Sequence, residues 1–262
     1  DIDYDEWYAI SEFVDNSLHS YMNNKLELKK IGVNHCDVKL SILDNGEGEE
    51  INIHDNAGGI HSDDFERLLS LGIPKEKSET QLSEFGMGMK TATIWFGNYI
   101  EIETKHYLEE KCYKITIDID KVDTYEYVDI IEVKPSSNLK SYSKIKISKL
   151  NRKLNRKKVK IKSSLSSIYR KYIESGDLVL TFEDDELKPF NIELRNDSEG
   201  KPFKKDFEIE LSSGKKCKGW IGIMVKGKTV MSGFSVYRHS RMVQGYPENA
   251  WRPKEVYSSE GG

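Results

Sequence analysis

Between residues 98 and 149 the chain runs through four segments, at roughly 98–104, 112–119, 125–133 and 143–149, in which apolar and polar residues alternate. Alternation with a period of two gives each strand one apolar face, and a sheet built from such strands must have that face covered. The cover lies upstream. Asp5 to Asn23 carries Trp7, Ile10, Phe13, Val14, Leu18 and Tyr21 at helical spacing, with acidic residues ahead of them that suit a helix N-terminus. Asp37 to Asp44 sets Val38, Leu40 and Ile42 against polar residues, and Asn45-Gly46 leads through a turn to a second run from Ile51 to His54, which predicts a hairpin after the helix. Residues 62–71 predict a short helix capped by Ser62, Gly72 to Ser83 a polar loop interrupted by Pro74, and Gly86 to Trp95 another helix. The fold class is therefore α+β, with helices laid on one face of a sheet.

From about residue 150 the composition turns basic, and a helix near 162–174 is followed by strands near 178–183, 206–211, 217–225 and 230–237. This sets an expected boundary between a first unit at 1–150 and a second at 151–262. A chain of 262 residues is long enough for both to bury a core. At 37% hydrophobic and 32% charged residues it holds no stretch able to cross a bilayer, so no membrane partner is expected. Cys36, Cys112 and Cys217 are odd in number and far apart, without CxxC spacing, so they signal neither a zinc site nor a disulfide framework; a reduced, cytoplasmic setting is the default. A net charge of −4 argues against a surface devoted to nucleic acid. The run from Arg152 to Lys162 reads either as a solvated face or as a local patch for phosphates. The start at Asp1 and the end in Glu-Gly-Gly read as a fragment of a longer protein.

Three elements can carry chemistry. Glu12, Asp15 and Asn16 fall at i, i+3 and i+4, on one face of the first helix. There a glutamate can act as base for a water and an asparagine as oxygen ligand for a hard cation such as Mg²⁺; the plain alternative is a solvated face. His54-Asp55-Asn56-Ala57-Gly58-Gly59-Ile60 ends an apolar strand in an acid and two glycines. It is either a turn or an acceptor for an exocyclic amine with the backbone lying against a flat heterocycle. Glu84 to Ala92 runs through Gly86 and Gly88 into a helix that opens on Met89, Lys90 and Thr91. Amides, a cation and a hydroxyl at a helix start suit a triphosphate, although the spacing is not that of a P-loop.

Taken in order, S-E-F-V-D-N-S, D-N-A-G-G-I and F-G-M-G-M-K-T-A resemble the three nucleotide boxes of the GHKL ATPases, which include gyrase B, the ninety-kilodalton heat-shock chaperone, histidine kinases and MutL. The last box looks most like the MORC branch and related bacterial ATP-binding proteins. The resemblance spans about residues 5–150 and implies a Bergerat-type sandwich followed by a transducer-like, ribosomal S5-like α/β domain, cut short at its C-terminus. It implies ATP and Mg²⁺ as cofactors, with Glu12 as the general base, Asn16 as the Mg²⁺ ligand and Asp15 as a support. Asp55 would accept the adenine amino group, Gly59 would let the backbone approach the nucleotide, and Ser143 would share a water with Asp55. Gly72 to Ser83 would be the lid, and the amides at Gly86, Gly88, Met89 and Lys90, with Thr91, would hold the phosphates. Ala57 departs from the family pattern, which has glycine there.

The resemblance further implies slow ATP hydrolysis that drives lid closure and clamping of a homodimer. Two readings stand beside it: a nucleotide-gated binding module with little hydrolysis, and a DNA-engaging machine of topoisomerase or chromatin type. Composition rich in Lys, Asn and Ile points to a bacterial source, whose relatives include defence proteins. G-F-S-V-Y-R-H-S-R-M-V at 233–243 resembles a transducer strand-turn-strand, with Arg238 and Arg241 read as surface charges on a hairpin and Lys254 as a candidate γ-phosphate lysine. Trp7, Trp95 and Trp220 read as core. His35, His54 and His106 read as scattered, none of them needed as a base.

Overall fold

The structure is a computed structural model that describes residues 5–69, 88–124, 127–227, 231–247 and 250–254. The expected lid at 72–83, with Lys75 and Lys77, and Gly86 fall outside the described residues.

The apolar stripe read from the first 23 residues becomes α1 (Glu6–Asn23), which buries Ile10, Phe13, Val14, Leu18 and Tyr21. A short α2 (Lys25–Lys30) follows. The hairpin is β1 (Cys36–Asp44) and β2 (Glu49–Asp55), closed at a turn where Gly46 has φ 89°. After a 3-10 turn at Ser62–Asp64 come α3 (Phe65–Leu69) and α4 (Gly88–Phe96). The four alternating segments are β3 (Gly97–Lys105), β4 (Cys112–Asp118), β5 (Val128–Val133) and β6 (Tyr142–Leu150).

Beyond residue 150 the chain turns back. Helices α5 (Lys158–Ile168) and α6 (Arg170–Glu174) make a crossover to β7 (Leu178–Phe182), which pairs parallel to β1 and carries the short β8 (Asp185–Glu186) at its edge. One mixed, eight-stranded sheet results, in the order β5-β4-β3-β6-β2-β1-β7-β8. The helix and strand expected at 162–174 and 178–183 are thus built into the same layers as residues 5–150. Only then do two separate hairpins follow: β9 (Lys204–Glu210) with β10 (Lys216–Gly222), and β11 (Val236–Arg238) with β12 (Arg241–Gln244). Trp220, expected in a core, lies 42% exposed on the first of these, a ribbon over which no layer of the described residues packs to bury the ring.

The register shows how the core is made. Phe182, Leu40, Ile53, Ile145, Ile102 and Ile115 stand side by side across six strands, and each is at least 93% buried, Ile145 the least at 7% exposed. Ile10, Phe13 and Leu18 of α1 and Leu165 of α5 join the same cluster. At about 1.5–3 kcal/mol per fully buried aliphatic side chain, this row and its helical cover are the main favourable contribution to the fold.

Candidate functional site

Two residues along each strand, and so on the same helix-covered face, the apolar row gives way to a polar one. Asp55 on β2 stands opposite Ser143 on β6, and Ser143 opposite Thr104 on β3. All three are buried. The Oδ2 of Asp55 accepts from the Ser17 hydroxyl at 2.9 Å and its Oδ1 from the Ala57 amide at 2.9 Å. The Ser143 backbone adds a third bond. Burial pushes the Asp55 carboxyl up to about 6, and those three bonds keep it from rising further. A carboxylate has about four lone-pair sites, so one acceptor position is left for a donor such as an exocyclic amine. Ser17, Thr104 and Ser20 were not singled out in the sequence; the signal that could have found Ser17 is a hydroxyl on the apolar stripe, four residues from both Phe13 and Tyr21.

The chain leaves Asp55 through a turn fixed on both sides. The Gly58 amide donates to Ser20 Oγ at 3.1 Å, the Tyr107 amide donates to the Gly58 carbonyl at 3.1 Å, and the Ile60 amide donates to Thr104 Oγ1 at 2.8 Å. Gly59 has φ 71°, and a Cβ there would fall 2.1 Å from the Lys105 carbonyl oxygen. The close backbone approach that this glycine allows is therefore to the end of β3. Ala57 does not take a positive φ, and its methyl is buried, so alanine in place of the family's glycine is accommodated without strain.

Glu12 and Asn16 are half-buried on α1, one turn apart, and Ser17 of the next residue reaches Asp55. Burial raises the Glu12 carboxyl, the charge of Asp15 pushes in the same direction, and Arg241 opposes both. Asp15 itself is engaged elsewhere. Its two oxygens accept from Arg241 Nε at 3.0 and 2.8 Å, and the Tyr169 hydroxyl lies 2.8 Å from Asp15 Oδ1. Arg241 Nη2 donates to Ser11 Oγ at 2.8 Å. The Arg241 and Asp15 side chains are only 14% and 7% exposed, so Arg241 is no surface charge on a hairpin: β12 folds back on α5 and α6 and inserts the guanidinium beside α1. Although burial works against its charge, Tyr169 and Asp15 hold Arg241 protonated. Asp15 thus ties α1, which carries Glu12 and Asn16, to Arg241 of β12 and Tyr169.

Gly88, Met89 and Lys90 form the first turn of α4, with Thr91 exposed just behind them, and α4 packs on α1 through Phe96 against Phe13 at 6.5 Å between rings. The first amides of a helix lack partners within it, which is the donor set expected for phosphate. The structure thus joins Asp55, Gly59, Ser143 and, through Ser17, α1 with Glu12 and Asn16; the segment expected to hold phosphates is described only from Gly88 onward.

The basic run at 152–162 is largely engaged within the chain. The Arg152 guanidinium stacks on Trp95 at 3.2 Å, Lys158 bonds Glu183 at 2.6 Å and Lys162 bonds Asp185 at 2.6 Å. Lys157 and Lys160 lie 3.6 and 3.7 Å from Glu6 and Asp5.

The profile of the family described as histidine kinase-, DNA gyrase B-, and HSP90-like ATPase matches residues 4–150, more than half of the 262 residues. The chain belongs to this family. It is a GHKL-type ATP-binding module, as the three motifs imply. Protein MICRORCHIDIA 3 of Arabidopsis thaliana is 29% identical over 91 residues, a stretch that spans 34% of this chain and 14% of that protein. The ATPase and transducer domains of DNA topoisomerase II from Balamuthia mandrillaris superpose with a TM-score of 0.46 at 12% identity, over 70% of this GHKL chain and 48% of that one. No helix among the described residues is long and apolar enough to cross a membrane.

Proposed function

We propose that this GHKL chain binds Mg·ATP with its adenine on Asp55 and hydrolyses it, with Glu12 as the base for the attacking water. The observation that carries the reading is the buried Asp55 carboxylate, tied to helix α1 through Ser17 and keeping one acceptor position open. Ser143 and Thr104, whose hydroxyls lie 3.4 Å apart in the same row, would share a water with Asp55 beside the adenine. Gly59 holds the turn that borders it.

Glu12 suits a general base because its half-buried position and the charge of Asp15 raise its proton affinity, while Arg241 limits the rise. Asn16, one turn along, offers the hard oxygen that Mg²⁺ prefers. When bound, Mg²⁺ offsets the phosphate charge. The first-turn amides of α4 at Gly88, Met89 and Lys90, with the Thr91 hydroxyl, would hold the phosphates, to which the family resemblance adds Gly86. In this reading nucleotide binding closes a lid at 72–83 and clamps two copies, which rests on the family resemblance alone.

Nucleotide titration and turnover with Mg²⁺ on wild type, Asp55→Asn and Glu12→Gln test the assignment, alongside native mass with a non-hydrolysable ATP analogue. Binding lost in the first variant, with turnover alone lost in the second, supports it. Binding without turnover in the wild type favours the nucleotide-gated module, and no binding at all overturns both. A nucleic-acid partner has less support, because the basic run meant to contact it is largely paired with Glu6, Asp5, Glu183 and Asp185.

A further inference from the structure

His106 is not isolated. The turn after β3 brings it to His61, which leads out of the Asp55 turn, with ring centroids 4.9 Å apart, and to Glu109 ahead of β4. One donor atom from each of the three lies within 4.8 Å of the others. We propose that His61, His106 and Glu109 bind one Zn²⁺ ion, with a water completing the coordination.

The donor set matches the ion. Two imidazoles and a carboxylate are the three-ligand pattern that zinc takes when one position stays open, whereas Mg²⁺ prefers oxygen alone and keeps its waters. At zinc–ligand lengths of about 2.0–2.1 Å, donors of a tetrahedral site sit ~3.3 Å apart. His61 Nε2 and Glu109 Oε1 are already 3.7 Å apart and no pair of the three donors is more than 4.8 Å apart, so closing on an ion takes side-chain shifts of at most about 1.5 Å. Glu109 is oriented beforehand: Ser62 donates to it from its hydroxyl at 2.5 Å and from its amide at 3.3 Å, the supporting bond that a ligating carboxylate usually has. A carboxylate has lone pairs enough to keep Ser62 and take a metal. Each imidazole now accepts a backbone amide at Nδ1, from Asp63 at 3.2 Å and from Leu108 at 3.3 Å. Ligation through Nε2 places the ring proton at Nδ1 and releases only these two long contacts.

The side chains of His61 and Glu109 are 33% and 16% exposed, which leaves the ion a path in. Its three ligands come from the two segments already joined by the Ile60–Thr104 and Gly58–Tyr107 bonds, so zinc would clamp the turn that leaves Asp55 to the end of β3.

The test uses the whole chain without nucleotide and with excess Mg²⁺. Zinc uptake is measured against a chelating dye, and Co²⁺ is used as a visible-absorbing substitute. We expect one ion per chain, unchanged in Cys217→Ser and His35→Ala, which remove an exposed thiol and an unrelated imidazole. His61→Ala and His106→Ala should each weaken binding by more than the 10–100-fold that loss of a supporting group costs, and Glu109→Gln by at least tenfold. Uptake that survives the double histidine variant, that disappears in Cys217→Ser, or that never reaches one ion per chain overturns the site. Should a variant fail to fold, histidine-edited NMR of the wild type decides the question: zinc must shift the rings of His61 and His106 and leave His19, His35, His54 and His239 in place.

Discussion

Replacing Asp55 by asparagine removes a charge from a position where burial opposes it, and the cost can be worked from its titration. Burial lifts the carboxyl from the ordinary 3.8 to about 6, roughly two powers of ten in proton affinity, or about 3 kcal/mol at ~1.4 kcal/mol per tenfold. Because the folded value lies above the unfolded one, the folded chain holds this proton more tightly. Its contribution to stability is complete below about pH 4 and is lost as pH rises through about 6. Asparagine does not titrate. It keeps an oxygen for the Ala57 amide and can donate its own amide to Ser17 Oγ, which has the Phe13 carbonyl at 3.1 Å as its acceptor. Urea unfolding of both proteins at a series of pH values should show the variant gaining on wild type by up to about 3 kcal/mol, almost all of it between about pH 4 and 6.5. ATP affinity should be lost in the variant throughout, and in wild type should rise as pH passes through about 6 and the carboxylate forms. A stability difference that stays flat with pH refutes the view that burial strains this carboxylate.

Four further outcomes are expected. Arg241→Ala leaves Asp15 buried without its cation and should cost about 3–5 kcal/mol in urea unfolding, against the ~0.5 kcal/mol of a surface charge; a loss below about 1 kcal/mol contradicts the buried pairing. Since Arg241 lowers the Glu12 pKa, a milder Arg241→Lys variant should move the acid limb of the turnover profile to lower pH if its ammonium sits closer to Glu12, and to higher pH if it withdraws; an unchanged limb means that Arg241 does not act on Glu12. Glu12→Gln should lower turnover by about 10²–10⁴-fold with ATP affinity kept, read from single-turnover kinetics and titration. Gly59→Ala puts a methyl 2.1 Å from the Lys105 carbonyl at a positive φ, so thermal unfolding should report a loss of at least about 2 kcal/mol.

Much of this was legible in the chain because it is local. The 3.6-residue stripe from Ile10 to Tyr21 and the two-residue alternation of β1, β2, β3 and β6 report which face each element buries, and the structure follows them within a residue or two at most ends. Pattern does not report who the neighbour is. Leu178, Leu180 and Phe182 read equally well as a strand of a second unit, and only the parallel pairing with Cys36, Val38 and Leu40 places them in the first sheet. Arg241 reached Asp15 across 226 residues, and His61 met His106 through a turn, neither of which leaves a mark in spacing. The polar row was half visible: Asp55 and Ser143 were found by motif, whereas Thr104 and Ser17 enter only through register and helix face.

The parallel return of β7 also separates kinship from self-sufficiency. The family match ends at residue 150, one helical crossover before β1 acquires its second neighbour. A polypeptide stopped there would keep every nucleotide motif yet leave β1 as an open edge, with Val38 and Leu40 deprived of cover from Leu178, Leu180 and Phe182. At about 1.5–3 kcal/mol for each of those three side chains, the deficit is comparable with the whole stability of an ordinary domain. An unpaired apolar edge is also a template for pairing with other chains. The stretch that carries the family's motifs is therefore shorter than the stretch that completes the sheet they sit on.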